Sequence, residues 1–138
     1  NDNLIYANMS FWQFLVSVIY NNKLPGAGKK NEKDEIDKAI DFLAERLNQT
    51  LTLEDIAAAV NLSSSHFSYI FKRKTGFSPI NYFNHLKIQK ACQYLLFTNL
   101  RIKEIGDKIG ITDPYYFSRL FTKIMGMPPK EYKIKRHQ

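Results

Sequence analysis

Apolar residues recur along this chain every three to four positions, and no stretch alternates apolar with polar as a half-buried strand would, so the pattern predicts helices throughout. Ile36, Ala39, Ile40, Leu43 and Leu47 mark a helix that Asn31 can cap. Thr52 and Asp55 have the spacing of a capping box ahead of Ile56, Ala59 and Val60. Ser63 or Ser64 opens a further helix that Gly76 ends. Ser78 supplies a cap oxygen and Pro79 suits a first helical position, which starts a long helix running to about Phe97 without a breaker. Asp113 with Pro114 repeats that start signal, Gly126 repeats the stop, and Pro129 begins a last short helix. Ahead of all these, Leu4 to Tyr20 has the composition of an amphipathic or buried helix. A linker-like stretch follows from Asn21 to Lys30, with Pro25, Gly26 and Gly28. The leading helix fits the end of an upstream domain, one member of a helix pair with another chain, or a helix lying on the main domain.

The chain also repeats itself. Residues 67–82 read FSYIFKRKTGFSPINY and residues 117–132 read FSRLFTKIMGMPPKEY. Ile56, Val60 and Leu62 return as Ile105, Ile109 and Ile111, while Phe67, Ser68, Phe71, Gly76, Pro79 and Tyr82 return as Phe117, Ser118, Phe121, Gly126, Pro129 and Tyr132. The second copy has one more residue in its turn, and each copy reads as short helix, tight turn, longer helix, the helix-turn-helix pattern. At about 100° per residue, Phe67, Ile70, Phe71 and the stem of Lys74 share one side of the first longer helix, as do Phe117, Leu120, Phe121 and Ile124 in the second, so these are core positions. The opposite sides carry Ser65, Ser68, Tyr69 and Lys72, and Tyr115, Ser118, Arg119 and Thr122. Neither exposed face contains an acid, which suits approach to a polyanion.

Charge sharpens that picture. The 138 residues carry a formal net charge of +7, with 44% hydrophobic, 24% charged and 14% aromatic residues, a globular composition. Residues 1–60 hold six Lys/Arg against nine Asp/Glu, while residues 61–138 hold fourteen against four. The basic half fits a nucleic acid, though a solvated basic surface has the same composition. Cys92 is the sole cysteine, so no internal disulfide forms and a reducing cytoplasm is the simplest setting. The longest apolar run, Phe11 to Tyr20, is broken by Gln13 and Ser17 and is about half a membrane span, so no membrane association is expected. The first residue is Asn1, not Met, consistent with a piece of a longer protein.

Taken together, LTLEDIAAAVNLSSSHFSYIFKRKTGFSPINYFNHLKIQKACQYLL and IKEIGDKIGITDPYYFSRLFTKIMGMPPKEY resemble the two halves of the DNA-binding domain of the AraC/XylS family of bacterial transcription regulators. The resemblance covers residues 31–136, about three quarters of the chain. It implies an all-α fold of seven helices, with two helix-turn-helix units joined by a long linker helix, plus the extra N-terminal helix. In that reading residues 1–30 are the last helix and linker of an upstream sensor or dimerisation domain. Residues 31–138 are the DNA-binding domain, with the first unit at 31–78, the linker helix at 79–97 and the second unit at 98–138. It further implies double-stranded DNA as partner, leaves RNA polymerase open as another, places any small-molecule effector in the absent upstream domain, and allows a homodimer through residues 4–20 or that domain. This sequence departs from the family pattern at Arg101, which stands where Thr52 caps the first copy, and at Ile111 and Lys133. It departs again at Gly106, which replaces an Ala at a helix-propensity cost of about 1 kcal/mol, so the second unit is expected to be the less stable one.

Two recognition helices read successive major-groove segments where one reads a few base pairs. A linker helix of about 19 residues at about 1.5 Å each spans about 28 Å, against about 34 Å for a turn of B-DNA, so either the DNA bends toward the protein or the helices tilt. Arg119 is the leading candidate for base contact, because a guanidinium can donate two bonds to guanine O6 and N7. Tyr69 and Tyr115 can pack on thymine methyls or bond a phosphate, Ser65 and Ser68 are short enough for water-mediated or backbone contacts, and Ser118 is a further base-contact candidate. Lys72, Arg73, Lys87 and Lys123 fit phosphate neutralisation, with solvated charge as the competing role. No catalytic residue, metal ligand or cofactor site is expected: Cys92 lies mid-helix among Ala91, Leu95 and Leu96, and His66, His85 and His137 share no metal-binding spacing with it. The competing functional reading is a helical protein-interaction module, docking through Leu4 to Tyr20, with secondary and non-specific DNA binding.

Overall fold

The computed structural model describes residues 11–16, 18, 19 and 34–136. Among them there is no strand. Seven helices follow in order: α1 (Glu35–Ala44), α2 (Leu53–Ala59), α3 (Ser64–Thr75), α4 (Pro79–Phe97), α5 (Ile102–Lys108), α6 (Pro114–Met125) and α7 (Pro129–Arg136). Residues 11–16, 18 and 19 are helical as well. The expected all-α double helix-turn-helix architecture, with its long central helix and extra N-terminal helix, is the one observed. The linker-like stretch at 21–30 lies outside the described residues.

Local chemistry sets the helix ends. The α1 cap is Asp34 rather than Asn31, which lies outside the described residues. An Asp34 carboxylate oxygen accepts the Asp37 N–H at 2.8 Å. The Lys74 ammonium bridges Asp34 and Asp37, tying the end of α3 to the start of α1. Burial pushes the Asp34 carboxyl up, but the hydrogen bonds from Lys74 and from the Asp37 N–H outweigh it and hold the group below its ordinary 3.8. Thr52 and Asp55 close both halves of the capping box, at 2.9 and 3.1 Å. Arg101, at the matching place before α5, has no acceptor oxygen to offer, and only the return bond from its N–H to Glu104 Oε1 forms, at 3.1 Å. Ser63, Ser78 and Asp113 cap α3, α4 and α6 as their positions predicted. Gly76 and Gly126 stop α3 and α6 with left-handed φ of 82° and 84°, and their N–H groups donate to Lys72 O and Thr122 O.

The chain builds two hydrophobic cores. Phe67, Phe71 and Tyr82 meet tilted and edge-to-face in the first, with centroids 5.4 and 5.3 Å apart, and Phe117, Phe121 and Tyr132 repeat the arrangement edge-to-face in the second at 6.0 and 5.6 Å. The first core also receives Phe14 from the N-terminal helical segment, fully buried and edge-on to Tyr82 at 5.0 Å. Phe11 packs against the second core, so this segment touches both.

Helix α4 is the wall the cores share. Its Tyr82 and Phe83 belong to the first core, and Ile88, Ala91, Cys92 and Leu95 to the second. At about 100° per residue these two sets point about 180° apart, which explains why α4 has no single apolar stripe despite being a core helix. Ile88, Ala91 and Leu95 serve the second core as Ile36, Ala39 and Leu43 of α1 serve the first. One long helix therefore closes one unit and opens the next.

The expected weakness at Gly106 changes meaning in three dimensions. A Cβ there would lie 2.6 Å from the Ile111 carbonyl oxygen, closer than real contacts allow, so glycine is required where Ala57 fits in the first copy. The propensity cost remains, but alanine would not recover it.

Candidate nucleic-acid interface

The two longer helices, α3 and α6, present the faces expected of them. Phe67, Phe71, Phe117, Leu120, Phe121 and Ile124 are buried, and Ile70 is half-buried. On the other side Tyr69 is 63% and Tyr115 81% exposed, large aromatic surfaces that no intramolecular contact requires. Ser65, Lys72, Arg73, Arg119 and Lys123 are exposed, and Ser68 and Ser118 half-buried.

Around α3, Ser65, Ser68, Tyr69, Lys72 and Arg73 come together with Leu53 and Ser64 in an open depression of about 640 Å³. Leu53 arrives because the α2–α3 turn folds the start of α2 beside α3. Arg73 Nη1 lies 3.5 Å from the Tyr69 hydroxyl, one turn apart on the same face. This depression offers hydroxyls, an aromatic ring and two cations to whatever enters it.

Around α6 the arrangement differs. Arg119 and Lys123 project beside a cleft of about 550 Å³ that also involves Tyr116, Asn81, Asn84 and His85, where α6 faces the first turns of α4. Tyr115 and Ser118 line neither depression. The Thr122 hydroxyl donates back to Ser118 O at 2.7 Å, so its proton is engaged within the helix. The sequence pattern does not mark Asn81, Asn84 or Tyr116 as site residues. Asn81 and Asn84 lie three apart at the start of α4, a polar pair on a helix face, but nothing in that spacing says which neighbour it meets.

His85 is buried, and its Nδ1 lies 2.7 Å from Asn81 O, so Nδ1 carries the proton and Nε2 is left as an unpartnered acceptor. Burial lowers its pKa; the Asn81 hydrogen bond opposes that, and the charge of Lys123 adds to it. The ring is packed between Phe14 and Phe77, at 5.0 and 5.1 Å. It is a core histidine at the edge of the cleft.

Lys87 corrects the expectation placed on it. Its residue is 4% exposed and its ammonium donates to three main-chain carbonyls, so it does not neutralise a phosphate. Burial pushes its pKa down to about 8, while three carbonyl acceptors, one for each N–H, favour the charged form. Helical periodicity could not find this, because the acceptors belong to residues about 40 and 22 positions away. Cys92 is buried in the second core, and burial pushes its thiol up to about 12 against the opposing hydrogen bond with Tyr132, so at neutral pH it is a packed thiol rather than a nucleophilic thiolate.

Comparison with known proteins agrees with this geometry. The model of a helix-turn-helix domain family matches residues 56–135. The MmsAB operon regulatory protein of Pseudomonas aeruginosa is 43% identical over 97 residues, covering 70% of this chain and 32% of that protein. The lactose operon transcription activator of Staphylococcus xylosus is 34% identical over 100 residues, covering 72% of this chain and 36% of that protein. This chain thus spans about a third of the length of these curated relatives. Among solved structures, the C-terminal domain of AraT, a response regulator from Geobacillus stearothermophilus, superposes with a TM-score of 0.73 at 31% identity, covering 78% of this chain and 89% of that one. With its paired helix-turn-helix units, its shared central helix and these relatives, the chain belongs to the AraC/XylS family of transcription regulators.

Proposed function

We propose that this chain binds duplex DNA sequence-specifically as the reading head of a transcription regulator, placing α3 and α6 in successive major-groove segments. The observation that carries the reading is the matched pair: two helices with the same stop glycine and the same buried aromatic anchors, both acid-free on the exposed side, held by one continuous helix. The names of the relatives, an operon regulatory protein and an operon transcription activator, support it. In this reading Arg119, Tyr115 and Ser118 of α6, with Ser65, Ser68 and Tyr69 of α3, face base edges. Lys72, Arg73 and Lys123 face phosphates, where their charge supplies the sequence-independent part of the affinity. Residues 1–30 are assigned to the junction with an upstream domain, residues 31–138 to DNA binding, and the site of action to the cytoplasm. Among the described residues no helix is long and apolar enough to cross a membrane.

Selection of bound sequences from a random duplex pool tests the proposal. Two conserved clusters separated by about 10 base pairs, one helical turn, are expected. A single cluster would remove one of the two helices from the mechanism, and no cluster would leave non-specific binding only. That last outcome would favour the interaction-module reading, to which Trp12, Val16 and Ile19 lend support as an exposed apolar edge of the N-terminal segment. The same edge is where we place self-association or the upstream domain. RNA polymerase contact and effector binding belong to the longer protein.

A further inference from the structure

We infer that Lys87 fixes the placement of one helix-turn-helix unit relative to the other, and so sets which separation between two DNA half-sites the protein accepts; the second clause rests on the two-helix reading above. Lys87 lies on α4 about 90° from each of that helix's two apolar faces, on the border where the units meet. Its ammonium donates to Leu47 O at 2.6 Å and Gln49 O at 2.8 Å, in the turn after α1 of the first unit. It also donates to Ile109 O at 2.6 Å, at the end of α5 in the second unit. An ammonium has three N–H groups, and here each has a carbonyl, two on one side of the seam and one on the other. The Phe83 ring lies 4.3 Å from the nitrogen and closes the site from the first core.

A second, independent feature marks the same seam. Gly110, one residue beyond Ile109, has a φ of 73°, and a Cβ built on it would lie 2.7 Å from both the carbonyl carbon and the oxygen of Asn48. Main chain thus abuts main chain between the units, immediately beside the Lys87 carbonyls. Among α1–α7, substantial helix-to-helix packing otherwise stays within a unit or runs through α4, and the N-terminal segment, with Phe14 in the first core and Phe11 on the second, is a further element that touches both. A single helix resists bending but is a poor brake on two bodies rocking about its axis, and a bonded seam off the axis supplies that brake. The precision matters, because a displacement of about 3.4 Å at a recognition helix is a whole base-pair step. Lys87 is a positioning residue: it touches no DNA and acts through the angle it holds.

The test uses the full chain with Lys87→Met, which keeps the stem and removes the three donors, and Gly110→Ala, which forces the seam apart from the other side. Ile56→Val, in the first core and away from the seam, is the control for lowered stability. Spin labels at Glu54→Cys and Lys130→Cys, one exposed site in each unit, report the distance between units without DNA by double electron–electron resonance. The selected half-sites, moved closer or further by one base pair, report spacing discrimination. The expected result is a narrow distance distribution in the parent and the control, and a broad one in both seam variants. Discrimination between spacings should fall at least about threefold in the seam variants and hold in the control. A folded Lys87→Met protein with the parent's distribution and discrimination overturns the inference, and Gly110→Ala decides in the same way should the first variant not fold. A parent protein indifferent to spacing would instead sink the two-helix reading, while the distance measurement would still decide whether Lys87 holds the units.

Discussion

The two helix-turn-helix units share a backbone plan and differ in almost everything exposed. Both turn through a left-handed residue at the same place, Asn61 at φ 59° and Gly110 at φ 73°. Asn61 is exposed, and an Asn tolerates that conformation, whereas Gly110 stands against the main chain of Asn48, where a side chain has no room. Ala57 and Gly106 repeat the contrast one turn earlier. Gly106 and Gly110, the two second-unit glycines that replace Ala57 and Asn61, sit where main chain approaches closely, within the unit at Gly106 and across the seam at Gly110, so these differences between the copies follow from where each copy sits. The outward faces diverge for another reason. The α3 face offers hydroxyls and two cations in an open depression, and the α6 face offers Arg119 and Tyr116 at a cleft with the exposed Tyr115 outside it, so the two helices are equipped for different stretches of sequence.

Three pairs of substitutions sharpen or break this comparison. The largest effect is expected from Gly106→Ala, where the new methyl meets the Ile111 carbonyl: a loss of about 2–3 kcal/mol by chemical denaturation, against about 1 kcal/mol for the reverse change Ala57→Gly. Equal small effects at both sites would show that the second turn yields easily. Next, Arg119→Ala should flatten preference at one or two base positions by about 1–3 kcal/mol. Arg73→Ala should weaken binding to every sequence alike and shrink the salt slope by about one, read from titrations on selected and random duplexes. The same response from both variants would erase the division between reading and neutralising residues. The smallest effect concerns the caps: Thr52→Ala should lower stability by about 1 kcal/mol, while Arg101→Ser should raise it by about 0.5 kcal/mol by giving α5 the acceptor it lacks. Thermal melts that leave Arg101→Ser unchanged would mean the Glu104 half-box already suffices.

Much of this was open to the sequence, because the signals are local. Helix boundaries follow from Thr52, Ser63, Ser78, Asp113, Gly76 and Gly126, each acting within one turn of itself. The buried sides of α3 and α6 follow from helical period, and the second unit from its likeness to the first. What tertiary structure alone decided is what happens between elements, within a unit and across the two. Asp34 rather than Asn31 caps α1, beside Lys74 from another helix. Tyr82 and Leu95 serve opposite cores from one helix, and Arg119 meets a cleft that residues of α4 help to form. Above all, Lys87 reads from sequence as one basic residue among many and folds into the seam. Periodicity reports a direction around one helix axis; which carbonyls wait in that direction depends on segments far along the chain, and those come near only when both cores have formed.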